Sequence, residues 1–178
     1  FARSLAGYCV ATHVLAIGDR HNDNMMMTSK GRFFHIDFGH ILGHTKTKTI
    51  AGVRFDRECT TFVLTPAMKY ALNQCGAFGK FREYCHNALL ILRRNSDILL
   101  TMLMLMLPAH FEELGPHNIE VAKSRLMLTD DDARACKLFD DLIDEALNDG
   151  RKILDDRIHI IKHKLTRKSK SGEEIRKV

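Results

Sequence analysis

The spacing of apolar and polar positions changes several times along the chain, and each change marks an element. Leu5, Val10 and Val14 recur among small residues, so residues 2 to about 15 read as the end of a helix. Gly18 interrupts that pattern, and a polar run from Asp19 to Asn24 follows. Two short apolar stretches, Met25 to Thr28 and Arg32 to Ile36, flank Ser29-Lys30-Gly31. Glycine supplies the positive φ that a tight turn between antiparallel strands needs, so this stretch predicts a hairpin. From Asp37 to Cys59 no period is sustained, and Gly39, Gly43 and Gly52 are interspersed with Thr and Lys. A long exposed loop is expected there, and loops of that length tend to be functional or disordered.

The remainder reads as helical. Thr65 before Pro66 is an N-cap followed by proline at the first helical position, and this helix runs to Gly76. Phe81, Cys85, Leu89 and Leu92 place a second helix over Phe78 to Arg94. Asn95-Ser96 is expected to cap a third, Asp97 to Leu107, ended by Pro108. Pro116 opens another, and Thr129 before Asp130, Asp131 and Asp132 signals a further start, with acids at the positive helix end. Gly150 should end that helix, and a last one is expected over roughly Lys152 to Leu165. Residues 166 to 178 are charged, lack a hydrophobic face and are expected to form a disordered basic tail. The predicted fold class is α+β and mainly α-helical: a small hairpin and a loop on a helical body.

Composition narrows the function classes. With 178 residues, 45% of them hydrophobic and 28% charged, the chain can bury a real core. It begins with Phe1, and none of its 8 methionines initiates it, so a piece of a longer polypeptide is expected. Five scattered cysteines without a C-x-x-C pair argue against a disulfide framework or zinc knuckle and favour a reducing compartment. The longest apolar run, Ile98 to Leu107, is too short to span a bilayer, and the sequence as given opens with no signal peptide. The net charge of +5 is concentrated between Lys46 and Arg54 and between Lys162 and Lys170. Such a balance suits an anionic bilayer or a phosphorylated substrate as well as nucleic acid, and charge alone does not choose.

Chemistry enters with two motifs, Gly18-Asp-Arg-His-Asn-Asp-Asn24 and Phe34-His-Ile-Asp-Phe-Gly-His40. Phosphoryl transfer needs a polar group to orient the attacking hydroxyl and metal ligands that bridge the β- and γ-phosphates. In protein kinases the base Asp lies five residues before a metal-binding Asn, and the Asp of an Asp-Phe-Gly triplet holds another metal. Here Asp19 lies five before Asn24, and Asp37 begins Asp-Phe-Gly. The hairpin between them should return Asn24 and Asp37 to the same end, as hard oxygen ligands for a Mg²⁺ pair.

These motifs resemble the catalytic and activation segments of phosphoinositide 3-kinases, with similarity running in patches from about Ala6 to Leu165. The resemblance implies that residues 1–165 are the C-terminal lobe of a protein-kinase-like bilobal fold. Its catalytic loop would cover about 17–25 and its activation loop about 37–62. The ATP-covering lobe would lie upstream in the same chain. Carried over, His21 takes the proton from the inositol 3-hydroxyl, Asp19 supports the loop and the attacking group, and Arg20 is structural. Asn24 and Asp37 hold Mg²⁺. Met26, Phe34 and Ile36 form a floor under ATP, Phe34 and Ile36 sharing one strand face. His40 contacts the transferring phosphate.

In the loop, Lys46, Lys48, Arg54 and Arg57 are the candidates for a phosphorylated lipid headgroup. Gly39 to Lys48 resembles the first basic box of the class I enzymes, which act on phosphatidylinositol 4,5-bisphosphate. Asp56 and Cys59-Thr-Thr depart from the second box, and the loop is also similar to that of class II. Ile153 to Leu165 resembles a terminal helix that lies against the bilayer, although Asp156 and Ile158 replace its aromatic pair. The implied setting is cytoplasmic with peripheral recruitment to an anionic membrane, under a regulatory subunit or small GTPase, and without nucleic acid. Three alternatives stand beside this reading. They are a phosphatidylinositol 4-kinase or related atypical protein kinase, a zinc or iron site built from His21, Asp23, His35, Asp37 and His40, and a non-enzymatic helical module.

Overall fold

The computed structural model describes residues 1–43, 62–109 and 114–148 in full, and 47–50 and 53–56 as backbone strands. The core forms around the first helix, α1 (Ala2–Val14), whose residues Leu5, Ala6, Cys9, Val10 and Val14 are all buried. β1 (Met25–Met27) and β2 (Phe33–His35) pair antiparallel, Met25 opposite His35 and Met26 opposite Phe34. The turn closes as the sequence predicts. Gly31 has φ +75°, and the Thr28 N–H donates to Arg32 O at 2.9 Å. Period two then sorts β2: Phe33 and His35 are buried, with their rings against Tyr8 of α1.

The helical body follows. α2 (Pro66–Gln74) starts at Thr65, whose Oγ1 accepts from Met68 N at 3.2 Å. α3 (Phe78–Arg94) buries Phe81, Cys85 and Leu89 against α1, and α6 (Asp132–Asn148) lays Ala135, Phe139 and Ile143 along the same core. Between them stand α4 (Ser96–Met106) and α5 (Pro116–Arg125). With Leu42 and Leu114, these two contribute a second, smaller apolar cluster of Leu103, Ile119 and Ala122. α4 also leaves Ile98, Met102 and Leu105 exposed along one face. None of the described helices is long and apolar enough to cross a membrane.

Three sequence expectations change. The stretch after Asp37 is not loop throughout, because β3 (Thr47–Ile50) and β4 (Val53–Asp56) pair antiparallel with Ile50 opposite Val53. Threonine, isoleucine and valine favour extended backbone, and four-residue strands are too short to declare a period. The ends of this stretch are also anchored, since Leu42, Phe62, Val63 and Leu64 are buried and Phe62 stacks on Phe139 at 5.3 Å. Asn95 stands at the N-cap position of α4 but makes no side-chain capping bond there; its amide donates to Ile91 O at 2.8 Å and finishes α3. Finally, the residue that caps α6 is Asp131, just before the helix's first residue; the Asp131 carboxylate accepts from Arg134 N at 2.7 Å. Thr129 is bypassed because Arg93 draws the carbonyls of Leu126, Met127 and Asp130 into a turn ahead of the helix. The expected helix end at Gly150, the helix over Lys152 to Leu165 and the tail 166–178 lie outside the described residues.

One core group carries a pH dependence. His13 is buried at the end of α1, edge-on to Phe139 at 5.4 Å, and its Nε2–H donates to Arg125 O at 3.0 Å. Burial, and then the Arg125 guanidinium, push its imidazole from 6.5 down to about 4, opposed by that hydrogen bond. In the window between those values the unfolded chain binds a proton that the folded chain refuses, so stability rises with pH. The stability is present above about pH 6.5 and is lost as pH falls, by roughly 3 kcal/mol at pH 4. Urea melts at pH 7, 6, 5 and 4 should show this slope, and His13→Phe should flatten it. A profile that keeps its steepness in His13→Phe assigns the effect to other groups.

Candidate active site

α1 ends at Val14, and the chain then turns sharply. Ala16 has φ +45° and Asp19 φ +54°, and Ile17 N donates back to Thr12 O at 3.0 Å. Aspartate tolerates the left-handed region better than most residues. The loop that follows is closed from within. Asn24, nearly buried, donates through Nδ2 to Asp19 O at 2.8 Å, and its N–H donates to His21 O at 2.9 Å. The five-residue spacing between Asp19 and Asn24 is therefore the span that one side-chain amide closes, with its Oδ1 kept as the remaining acceptor.

Arg20 joins this loop to the second motif. Its side chain is buried, with Nε donating to Gly18 O at 2.6 Å, Nη1 to Ile36 O at 2.7 Å and Nη2 to Asp37 O. The planar fork of guanidinium donors suits three carbonyls in one plane of approach, and lysine could not replace it. Ile36 N also donates to Asn24 O at 3.1 Å, and Gly18 N to His40 O at 2.8 Å. Asn24 and Asp37 are thus brought to one end of the hairpin. Asp37 stands exposed at φ +58°, and its Oδ1 accepts weakly from Gly39 N at 3.4 Å.

His21 lies beside this junction. Its Nε2 is 3.9 Å from Asp19 Oδ2, and its Nδ1 accepts from Asp23 N at 3.3 Å. The side chain is partly accessible to solvent. Met26, Phe34 and Ile36 share the hairpin face turned away from the core, Met26 directly opposite Phe34 and both Met26 and Ile36 exposed. His40 is partly buried, three residues after Asp37. Lys48 and Arg54 lie on β3 and β4, while Lys46 and Arg57 lie outside the described residues.

The residues of the zinc or iron alternative do not converge. Among the described residues no group of three or more His, Cys, Asp or Glu could hold a metal. His35 faces the core against Tyr8, its Nδ1 3.3 Å from Asn24 O, on the opposite face of its strand from Phe34 and Ile36. Asn24 carries an amide oxygen and Asp37 a carboxylate, both oxygen donors of the hard kind.

Sequence comparison decides the family. Residues 1–114 match the profile of the family described as phosphatidylinositol 3- and 4-kinase. The chain belongs to the phosphatidylinositol 3- and 4-kinase family. Phosphatidylinositol 3-kinase 3 of Dictyostelium discoideum is 44% identical over 169 residues, and phosphatidylinositol 3-kinase 1 of the same organism is 39% identical over 166. The human phosphatidylinositol 3-kinase C2 domain-containing subunit gamma is 38% identical over 166 residues. These alignments cover 90 to 92% of this kinase chain but only 10 to 11% of each relative, so the chain spans about a tenth of their length.

The sequence names Arg20 as structural, and its bonds to the Gly18, Ile36 and Asp37 carbonyls agree. One contributor to this kinase region is missed. Asn118, at the third position of α5, accepts from Gly115 N at 2.7 Å, and nothing local in the sequence announces its second bond to Leu42 O at 2.7 Å.

Proposed function

We propose that this chain is the catalytic-loop and activation-segment part of a phosphoinositide 3-kinase. In this reading the enzyme moves the ATP γ-phosphate to the 3-hydroxyl of a phosphatidylinositol lipid, with phosphatidylinositol 4,5-bisphosphate as the favoured substrate. The observation that carries it is the Arg20 clamp on the Ile36 and Asp37 carbonyls, which holds the loop of Asp19, His21 and Asn24 against Asp37. The relatives' names support the same reading.

Asn24 Oδ1 and the Asp37 carboxylate would hold Mg²⁺, which when bound would neutralise charge on the nucleotide phosphates. Met26, Phe34 and Ile36 offer a flat apolar floor to the nucleotide. His21 accepts the hydroxyl proton at Nε2, with the Asp19 carboxylate nearby to stabilise the imidazolium. Because Nδ1 accepts from Asp23 N, the resting neutral ring carries its proton on Nε2. The long 3.3 Å bond is therefore given up when the ring takes the tautomer that works as a base. His40 meets the transferring phosphate, and Lys46, Lys48, Arg54 and Arg57 meet the headgroup at an anionic membrane surface. The longer polypeptide supplies the ATP-covering lobe and the surfaces for a regulatory subunit or small GTPase.

The test is an assay of the full-length enzyme against several phosphoinositides and a protein substrate. Label at the inositol 3-hydroxyl is expected, falling by about 10²–10⁴ in His21→Ala. Residues 1–178 alone should give no turnover, because closing over the nucleotide needs the other lobe. Phosphate delivered to the 4-hydroxyl or to protein would instead favour the 4-kinase or atypical protein-kinase reading.

A further inference from the structure

Within five residues of Asp37 the activation segment is fastened at three backbone points. His40 O accepts from Gly18 N at 2.8 Å, and Leu42 N donates to Leu15 O at 2.7 Å. The third point comes from far along the chain: Leu42 O accepts from Nδ2 of Asn118 on α5 at 2.7 Å. We propose that Asn118 is a positioning residue for phosphoryl transfer, tying the root of the activation segment to α5; this rests on the kinase reading above.

The chemistry of the contact is one-directional. Asn118 is buried, and its Oδ1 accepts from Gly115 N at 2.7 Å, so the NH₂ group must face Leu42. Leu42 is 1% exposed, and its carbonyl has no route to water if that donor goes. Leu42 also sits at φ +53°, a conformation that a branched side chain keeps only while its surroundings hold it. The next residue is Gly43 at φ +83°, where a Cβ would come within 3.4 Å of Val121 on α5. The segment is therefore pressed against α5 over two consecutive residues.

α5 reaches the catalytic loop from its other end as well. Arg125 Nη1 donates to His13 O at 3.0 Å, while His13 Nε2 donates to Arg125 O at the same distance. These bonds fix the end of α1 shortly before Asp19. One helix thus holds the approach to Asp19, His21 and Asn24 and the departure from Asp37, and sets their relative position. Misplacement by about an ångström costs on the order of a hundredfold in rate without touching the reacting groups.

In the full-length enzyme, Asn118→Leu is expected to lower kcat by about tenfold or more while KM for ATP stays within about twofold. Hydrogen exchange should quicken at the Gly18 and Leu42 amides and stay slow at Ala122 and Leu126. If exchange changes only near Gly115, Asn118 merely caps α5 and the proposal fails. It also fails if Gly18 and Leu42 loosen while kcat holds. Should the variant not fold, native-state exchange of the wild type decides: the Leu42 amide must open together with α5, and separate, earlier opening overturns the anchor. Exchange reads the anchor whatever the substrate is. Failure of the lipid assay and failure of this proposal are therefore distinct results.

Discussion

Asp37→Asn in the full-length enzyme is expected to lose magnesium-dependent turnover by roughly a thousandfold or more, about 4 kcal/mol of transition-state stabilisation. The substitution removes one negative charge and leaves almost everything else. Asparagine tolerates the left-handed backbone that Asp37 adopts at φ +58°. Its side-chain oxygen can still accept from Gly39 N, and Arg20 holds the carbonyl of residue 37, which the change does not alter. The fold should therefore survive, with a melting temperature within about 2 °C of the parent, which corresponds to less than about 1 kcal/mol. Phosphate transfer measured across a magnesium titration, beside a thermal melt, separates the two effects. Near-normal turnover in a well-folded Asp37→Asn protein would remove Asp37 from the metal site.

Arg20 gives the opposite signature, with stability and activity lost together. Arg20→Met keeps the apolar stem and deletes the fork, leaving the carbonyls of Gly18, Ile36 and Asp37 without that donor. Gly18 is buried, whereas Ile36 and Asp37 are exposed and their carbonyls can turn to water. A buried orphaned acceptor costs about 1–3 kcal/mol, so a loss of roughly that size is expected. For a region of this size that lowers the melting temperature by roughly 5 °C. Arg20→Lys should recover little, because a single ammonium cannot reach three carbonyls in a plane. Turnover measured well below the melt should still be low, since the clamp aligns the Asp19 loop with Asp37. A methionine variant that melts like the parent with normal kcat would show that the two motifs stay aligned without it.

Legibility in the sequence follows how local each determinant is. The Thr65 cap, the Gly31 turn and the helical spacing of Phe81, Cys85 and Leu89 are set by neighbours within a few residues, and all appear as expected. Asn95 and Thr129 look like caps to the same reading, but each loses its role to a competing partner, Ile91 O in one case and the Arg93 fork in the other. The β3–β4 pair is hidden because two four-residue strands, Thr-Lys-Thr-Ile and Val-Arg-Phe-Asp, are too short to separate from a polar loop. Within the site, the motifs name Asp19, His21, Asn24 and Asp37, and the hairpin brings the ends of those motifs together. The residues that hold them there are harder to see. Asn118 reaches Leu42 across 76 positions, and no spacing rule connects such a pair.

The left-handed backbone at Asp19 and Asp37 has a consequence for anyone who engineers this region. Glycine at either place would relieve that strain, against the extra freedom it gives the unfolded chain. On the roles proposed for the two acids, such an exchange would trade turnover for at most a small gain in heat resistance.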